Sequence, residues 1–231
     1  MAILDKPYKA IIIGSSGSIG SAFVRALESD SICEQVLGLH RHSEIKIDYD
    51  HPETIQMAYQ HLMSQGPFQL LIVSTGVLHT KEWSVEKKIS DLNPHHLHEI
   101  FNINAIGPAL VIKEFSKLMD KNGSVMAVLS AKVGSIEDNR LGGWYGYRSS
   151  KAARNMMIKT AAIELKRTNP YLALIAMHPG TVSSNLSKPF GGESIGQDPD
   201  QAASHMLTVM RGLTPENSGQ FLSYKNEVIP W

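Results

Sequence analysis

Apolar runs that suit buried strands alternate with helix-like segments along the chain, and this alternation limits its possible folds more than any other feature. The first run, Ala10–Ile13, carries isoleucines on both faces, as expected for a strand that is covered on both sides. Similar runs follow at 36–39, 45–47, 70–73, 124–129, 172–177 and 219–222. Such alternation favours a parallel sheet. We therefore predict an α/β, doubly wound, mostly parallel sheet of about seven strands with helices on both faces.

Helical patterns fill most of the intervals between these runs. We expect helices at 18–27, 52–63, 94–119, 145–167 and 199–210. No repeat or long linker divides the chain, so we expect one domain over residues 1–231. One segment, 183–198, is rich in Gly and Ser and follows the sixth predicted strand. A long loop at that point is typical of a mobile lid over a substrate, although it can also be a plain connection.

Composition excludes several classes of function. Lys plus Arg equals Asp plus Glu at 22 each, so the chain lacks the basic field that nucleic-acid binding requires. Cys33 is the single cysteine, which excludes an internal disulfide and a thiolate metal cluster. His95, His96 and His98 lack the spacing and partners of a zinc site, and we predict no metal. With no signal peptide and no membrane-length apolar run, we expect a cytoplasmic protein without membrane contact.

Three glycines, Gly14, Gly17 and Gly20, follow the first strand and open the first helix. Glycines there allow a tight turn and let backbone N–H groups approach a pyrophosphate. The simpler alternative is a turn that uses glycine only for its positive φ. No Lys-Ser or Lys-Thr pair follows, which disfavours a nucleoside-triphosphate loop.

The end of the second strand bears on cofactor choice. An NAD site usually has an acidic residue here for the ribose hydroxyls, whereas an Arg suits a 2′-phosphate. This chain has His40 and Arg41, so NADP(H) is favoured and NAD(H) remains possible. Alternatively, Arg41 can simply be a solvent-exposed residue at the end of the strand, with no role in cofactor binding. Asp48 can accept a hydrogen bond from the adenine amino group, or can simply begin a turn.

Tyr147 and Lys151 stand four residues apart in a predicted helix. This spacing puts the phenol and the amine on one face, about one turn apart. A Lys charge favours the phenolate and lowers the pKa of the tyrosine, which makes it a usable proton donor and acceptor. Such a pair also occurs on many solvated helix faces, so its weight depends on the other motifs.

In their order, these motifs resemble those of the short-chain dehydrogenases/reductases over nearly the full length of the chain, and are most similar to the C-factor-like branch. The matching pieces are Gly14/Gly17/Gly20, Ser74-Thr75-Gly76, Asn104-Ala105-Ile106-Gly107-Pro108, Ser130, Tyr147-x-x-x-Lys151 and Pro179-Gly180-Thr181-Val182.

The resemblance implies a Rossmann-type fold and nicotinamide-dependent interconversion of a small carbonyl compound and its alcohol. It implies that Tyr147 is the general acid or base, that Lys151 binds the nicotinamide ribose, and that Asn104 holds a water of a proton relay. It also implies a homodimer or homotetramer. The cofactor-binding residues that we expect are Gly14, Ser16, Gly17, Ile19, Gly20, Arg41, Asp48, Ser74, Gly76, Tyr147, Lys151, Pro179, Gly180, Thr181 and Val182.

The catalytic serine of the family is displaced in this chain. That serine usually stands three residues before a glycine, and relative to Gly134 the position is Ala131. We expect Ser130 to orient the substrate oxygen instead, with Ser135 as the other option. The displacement also leaves open a different class of function, namely a cofactor-binding regulatory or signalling protein with little turnover.

Overall fold

The computed structural model describes residues 3–231, and its centre is one sheet of six strands. The strands are β1 (Tyr8–Ile13), β2 (Cys33–Leu39), β3 (Leu70–Val73), β4 (Ser124–Leu129), β5 (Leu172–His178) and β6 (Phe221–Ser223). Their spatial order is β2-β1-β3-β4-β5-β6, and every neighbouring pair runs parallel. The predicted α/β doubly wound fold is confirmed.

The predicted count of about seven strands is wrong by one. The short run 45–47 forms no strand, and its only ladder contact is a single parallel bridge between His40 and Lys46. A turn explains this outcome. The Ser43 hydroxyl accepts from the His40 backbone N–H at 2.8 Å and donates to the His40 carbonyl at 2.7 Å. These bonds form a tight turn at the end of β2, and the run beyond it pairs at one residue only.

The described residues form seven α-helices. They are α1 (Ser18–Glu28), α2 (Glu53–Leu62), α3 (Pro94–Phe101), α4 (Gly107–Phe115), α5 (Tyr145–Leu165), α6 (Gly192–Ile195) and α7 (Pro199–Arg211). Because successive strand residues face opposite sides, β1 sends Ile12 toward the apolar faces of α1 and α7 and Ile11 and Ile13 toward those of α2, α4 and α5. The two resulting cores hold the helices on both faces.

The predicted long helix 94–119 is interrupted in the middle. Residues Asn102–Ile106 form one π-helical turn between α3 and α4, a feature that often occurs at functional sites. At Gly107 a side chain would clash with the ring of Tyr49, so the close contact between Tyr49 and the start of α4 requires a glycine. The interruption places Asn104 inside the protein with no exposed surface.

The next two strands in the chain, β2 and β3, lie on opposite sides of β1. From β1 the chain first enters β2 on one side and then returns to β3 on the other. In parallel α/β sheets, ligands bind beyond the carboxyl ends of the strands at such a reversal. The fold therefore locates a candidate site beyond the ends of β1 and β3.

Candidate active site

A cavity of about 790 Å³ opens at this edge of the sheet. It receives residues from the glycine turn, from the segments that follow β3, β4 and β5, and from α5. The predicted site residues that line it are Ser16, Gly17, Ile19, Ser74, Gly76, Ser130, Tyr147, Lys151, Pro179, Gly180, Thr181 and Val182. The tertiary structure thus brings together twelve of the predicted residues from five separate segments of the chain.

The turn after β1 is built around its glycines. Gly14 has φ +86°, and a Cβ there would lie 2.9 Å from the Ser74 hydroxyl oxygen. A Cβ on Gly20 would clash with the Gly14 carbonyl. The Ser74 hydroxyl donates to the Ile13 carbonyl at 2.8 Å, which ties the turn to the end of β3. The turn therefore brings the start of α1, with Gly17, to this end of the cavity, and a helix start of this kind fits the pyrophosphate of a dinucleotide.

Arg41 and Asp48 lie outside the lining of the cavity. Arg41 is exposed immediately beyond the end of β2. The Asp48 carboxylate accepts from the Asp50 backbone N–H at 3.1 Å, so it stabilises a local turn. Contact of either residue with a cofactor stays a prediction.

Tyr147 and Lys151 are buried side by side in α5. The Lys151 Nζ lies 5.4 Å from the centre of the Tyr147 ring. Lys151 is 4% exposed and Tyr147 is 7% exposed. Burial raises the pKa of Tyr147 to about 12, against the opposing charge of Arg154. Burial, reinforced by Arg154, holds the pKa of Lys151 well below its usual range. Burial thus outweighs the expected effect of Lys151, and the Tyr147 phenol keeps its proton at neutral pH.

Asn104 joins this pair to the segment after β3. Its side-chain oxygen accepts from the Val77 N–H at 2.8 Å, and its amide donates to the Val77 carbonyl at 2.8 Å and to the Ser150 hydroxyl at 3.1 Å. A Cβ on Gly76 would lie 3.3 Å from the Lys151 Nζ and 3.4 Å from the Asn104 Oδ1. Asn104 therefore fixes the segment that packs against Lys151, and its water-binding role stays a prediction.

The two candidate serines differ in position. Ser130 lines the cavity, but its hydroxyl donates to the Asn155 Oδ1 at 2.6 Å. Ser135 is buried, donates to the Trp231 carbonyl at 3.4 Å and accepts from the Asp138 N–H at 3.1 Å. Ser130 is thus the better placed of the two, although it must leave Asn155 before it can donate to a substrate oxygen.

Sequence reasoning missed two ionisable groups beside this pair. Arg154 is 1% exposed and donates to backbone carbonyls around the site. Its position, seven residues after Tyr147 and three after Lys151, puts it on the same helix face and could have been noticed. His178 lines the cavity, and burial, together with the charges of Lys132 and Lys151, lowers its pKa to about 4. No motif had singled out His178.

The other end of the cavity is aromatic. The Trp144 ring centre lies 6.1 Å from that of Tyr147 and 5.0 Å from that of Phe190. The His79 ring centre lies 5.7 Å from that of Phe190. Phe190 belongs to the predicted lid segment 183–198, which contributes several lining residues. Apolar surface therefore faces the phenol, as a substrate pocket requires; movement of the segment stays a prediction.

Two classes of feature are not found in the part of the chain that the structure describes. Within residues 3–231, no three His, Cys, Asp or Glu side chains are grouped so that they could hold a metal ion. None of the helices in that range is long and apolar enough to cross a membrane.

Comparison with known proteins identifies the family. The model of the short chain dehydrogenases matches residues 8–193. The chain is 31% identical to the C-signal of Myxococcus xanthus over 168 residues, which cover 72% of this chain and 94% of that protein. It is 32% identical to a 1-hydroxy-2-glutathionyl-2-methyl-3-butene dehydrogenase of Rhodococcus sp. over 144 residues, and this match covers 62% of each protein, less than two thirds of the relative's length.

Solved structures agree on the fold. An NADPH-bound carbonyl reductase from chicken fatty liver superposes with a TM-score of 0.82 at 22% identity, covering 98% of this chain and all of the other. The carbonyl reductase Sniffer of D. melanogaster gives 0.84 at 19% identity, with the same coverage. These identities are too low to compare substrates. The family match and the parallel sheet together show that the chain belongs to the short chain dehydrogenase family of oxidoreductases.

Proposed function

We propose that this oxidoreductase uses NADP(H) to interconvert a small carbonyl compound and its alcohol, with Tyr147 as the proton donor and acceptor. The observation that carries the proposal is the position of the buried phenol and amine of Tyr147 and Lys151. They line the same cavity as the backbone turn that fits a pyrophosphate. Pocket and proton donor thus adjoin a dinucleotide cradle, as hydride transfer to a carbonyl requires.

A nicotinamide cofactor, when bound, would supply the hydride for the carbonyl carbon. Tyr147 donates its proton to the substrate oxygen; burial raises its pKa to about 12, so the phenol is protonated at neutral pH before the reaction. Lys151 would hold the ribose hydroxyls, and together with a water on Asn104 it would pass a proton from solvent back to Tyr147. Asn104 positions the segment that packs against Lys151 through its two bonds to Val77. The aromatic surface of Trp144 and Phe190 excludes water from the reacting oxygen.

The preference for NADP(H) rests on Arg41 and on the absence of an acidic side chain at His40. An exposed guanidinium beyond β2 suits a 2′-phosphate because it can form charge-assisted hydrogen bonds with two oxygens. Three of the similar solved structures are described as NADPH- or NADP-bound, which supports the same choice.

A panel of aldehydes, ketones and quinones, scored by the loss of NADPH absorbance, tests the proposal. We expect at least one class to be reduced, and the same substrate to be reduced about 10²-fold more slowly by Tyr147→Phe. The control is Tyr145→Phe, two residues earlier on the same helix but outside the cavity lining, which should keep the wild-type rate. Reduction that is equally fast in Tyr147→Phe would refute the role of Tyr147.

The second candidate is a cofactor-binding signalling protein with little turnover. It is favoured by Ala131 at the usual serine position and by the bond that engages the Ser130 hydroxyl with Asn155. The relative called C-signal gives it further support. Ser130→Ala separates the two candidates. A fall in turnover of at least about tenfold supports catalysis with Ser130 as the orienting group, whereas tight NADPH binding with no reduction across the panel supports signalling.

The assembly and location of the protein also belong to the proposal. We propose a homodimer or homotetramer that buries the apolar residues exposed on the α4–α5 side, among them Ile106, Met156 and Ile163. We also propose that segment 183–198 closes over a small-molecule substrate, and that the protein acts in the cytoplasm. Light scattering of the purified protein tests the assembly.

A further inference from the structure

The turn before α5 holds a tryptophan in an unfavourable backbone conformation. Trp144 has φ +53° and ψ +43°, and the two residues before it, Gly142 and Gly143, have φ +63° and +64°. Glycine adopts this left-handed conformation freely, whereas the Cβ of a tryptophan comes too close to the following carbonyl oxygen. Strain of this kind persists only where the surrounding structure imposes it, and it is concentrated at functional sites.

Hydrogen bonds to the main chain impose this conformation. The Trp144 N–H donates to the Glu86 carbonyl at 2.6 Å. The Arg148 Nε donates to the carbonyls of Gly142 and Gly143 at 3.2 and 3.0 Å. None of these bonds uses the indole ring. The turn is therefore held by its backbone, and the closure of the turn does not explain why the strained position carries a tryptophan.

The strained turn places the indole beside the proton donor. The ring of Trp144 is tilted by 70° to that of Tyr147 and by 58° to that of Phe190, and the residue is partly exposed and lines the cavity. Trp83 is different: it is 8% exposed, its Nε1 donates to Glu99 at 2.6 Å, and it lies outside the cavity lining. Trp83 is thus a core residue, whereas Trp144 contributes its indole to the wall of the site.

The rest of this wall is apolar. Ala131, Val133 and Leu186 belong to the same hydrophobic cluster as Tyr147 and also line the cavity. A carbonyl oxygen that accepts a proton from Tyr147 has its carbon beside that phenol, so the group bonded to this carbon meets the apolar wall first. Aromatic rings gain from tilted or offset contact with one another beyond the gain from buried area. This wall therefore favours an aromatic group at that position of the substrate.

We propose that Trp144 determines substrate specificity and selects carbonyl compounds whose carbonyl carbon is bonded directly to an aromatic ring. This inference rests on the proposed carbonyl reduction at Tyr147. The indole packs against the ring of the substrate, and Phe190 of segment 183–198 packs against the indole. A saturated ring of the same size keeps the apolar contact but loses the additional attraction between rings, which is worth about three- to tenfold in kcat/KM.

Benzaldehyde and cyclohexanecarbaldehyde are the matched probes, since they have the same carbon skeleton and differ in the aromaticity of the ring. The measured quantity is the ratio of their kcat/KM values with NADPH. Their intrinsic reactivities differ, but this difference is common to all variants and cancels when ratios are compared. We expect the ratio to fall by about three- to tenfold in Trp144→Leu and to be largely kept in Trp144→Phe, which retains a ring.

Trp83→Leu is the control, because it removes a tryptophan of the same cluster from outside the cavity lining. We expect it to lower the Tm and to leave the ratio of the two aldehydes unchanged. Trp144→Gly provides the opposite case. Glycine adopts the left-handed conformation without strain, so its Tm should fall less than that of Trp83→Leu while the ratio falls as in Trp144→Leu. A Trp144 with only a structural role would change the Tm and not the ratio.

An unchanged ratio in folded Trp144→Leu or Trp144→Gly would overturn the proposal, as would a wild type that reduces cyclohexanecarbaldehyde but not benzaldehyde. If the wild type reduces neither aldehyde, the proposed carbonyl reduction of these probes fails, and binding still tests the selectivity. Benzyl alcohol and cyclohexylmethanol are then titrated by NMR into the protein with NADP. Tighter binding of benzyl alcohol that is lost in Trp144→Leu supports the inference, and equal binding or none in the wild type overturns it.

Discussion

Replacing Asn104 by alanine tests whether this side chain holds the segment after β3 in place beside Tyr147 and Lys151. The side chain is fully buried and forms three hydrogen bonds, two of them to the backbone of Val77. Asn104→Ala leaves the Val77 N–H and carbonyl without these partners, at about 1–3 kcal/mol for each buried group. Val77 is only partly buried, so water reaches it and the lower part of that range applies.

The third bond contributes little to the expected loss. The Ser150 hydroxyl keeps its bond to the Tyr147 carbonyl at 2.9 Å when Asn104 is removed. We therefore expect the free energy of unfolding to fall by about 2–4 kcal/mol in total. In a chain of this size that corresponds to a Tm lower by about 5–15 °C.

Thermal unfolding of the cofactor-free protein, followed by circular dichroism, measures this loss. Asn122→Ala is the control, because Asn122 is exposed and its side chain bonds only the nearby Asp120. We expect it to change the unfolding free energy by less than about 0.5 kcal/mol. If the two variants unfold at the same temperature, Asn104 does not hold the segment after β3 in place.

Three further predictions concern the chemistry of the site. Tyr147→Phe should change NADPH affinity by no more than a few-fold while turnover falls, since the ring is kept and only the proton is lost; a large loss of binding by fluorescence titration would contradict this. Arg41→Ala should reduce the preference for NADPH over NADH by about ten- to a hundredfold, the value of one charge-assisted phosphate contact; equal Kd values for the two cofactors in the wild type would refute it. The pKa of His178 is about 4 in the folded protein against an ordinary 6.5, so folding favours its neutral form. Its contribution to the free energy of unfolding is present above pH 6.5 and is lost as the pH falls toward 4. When unfolding by urea is measured between pH 7 and pH 4, His178→Asn should therefore lose less stability than the wild type.

The fold and the family could be predicted from the sequence because both depend on local patterns. Runs such as Ala10–Ile13 are apolar on both faces, which only a sheet covered on both sides accommodates. The glycines at 14 and 20 are fixed by the close approach of their own backbone atoms, as the clash at Gly20 shows. Tyr147 and Lys151 are one helical turn apart, so their proximity follows from the helix itself.

Only the tertiary structure decided the contacts and charges within the site. The run 45–47 had strand character, but the turn closed by Ser43 left it without a ladder. Whether Ser130 or Ser135 faces the cavity depended on partners distant in sequence, Asn155 and Trp231.

The same holds for the ionisation of the site. The sequence by itself determined that a phenol and an amine meet. Their pKa values depend on how deeply the fold buries them and on the charge of Arg154. Burial and long-range charge are properties of packing between distant segments, and spacing along the chain does not contain them.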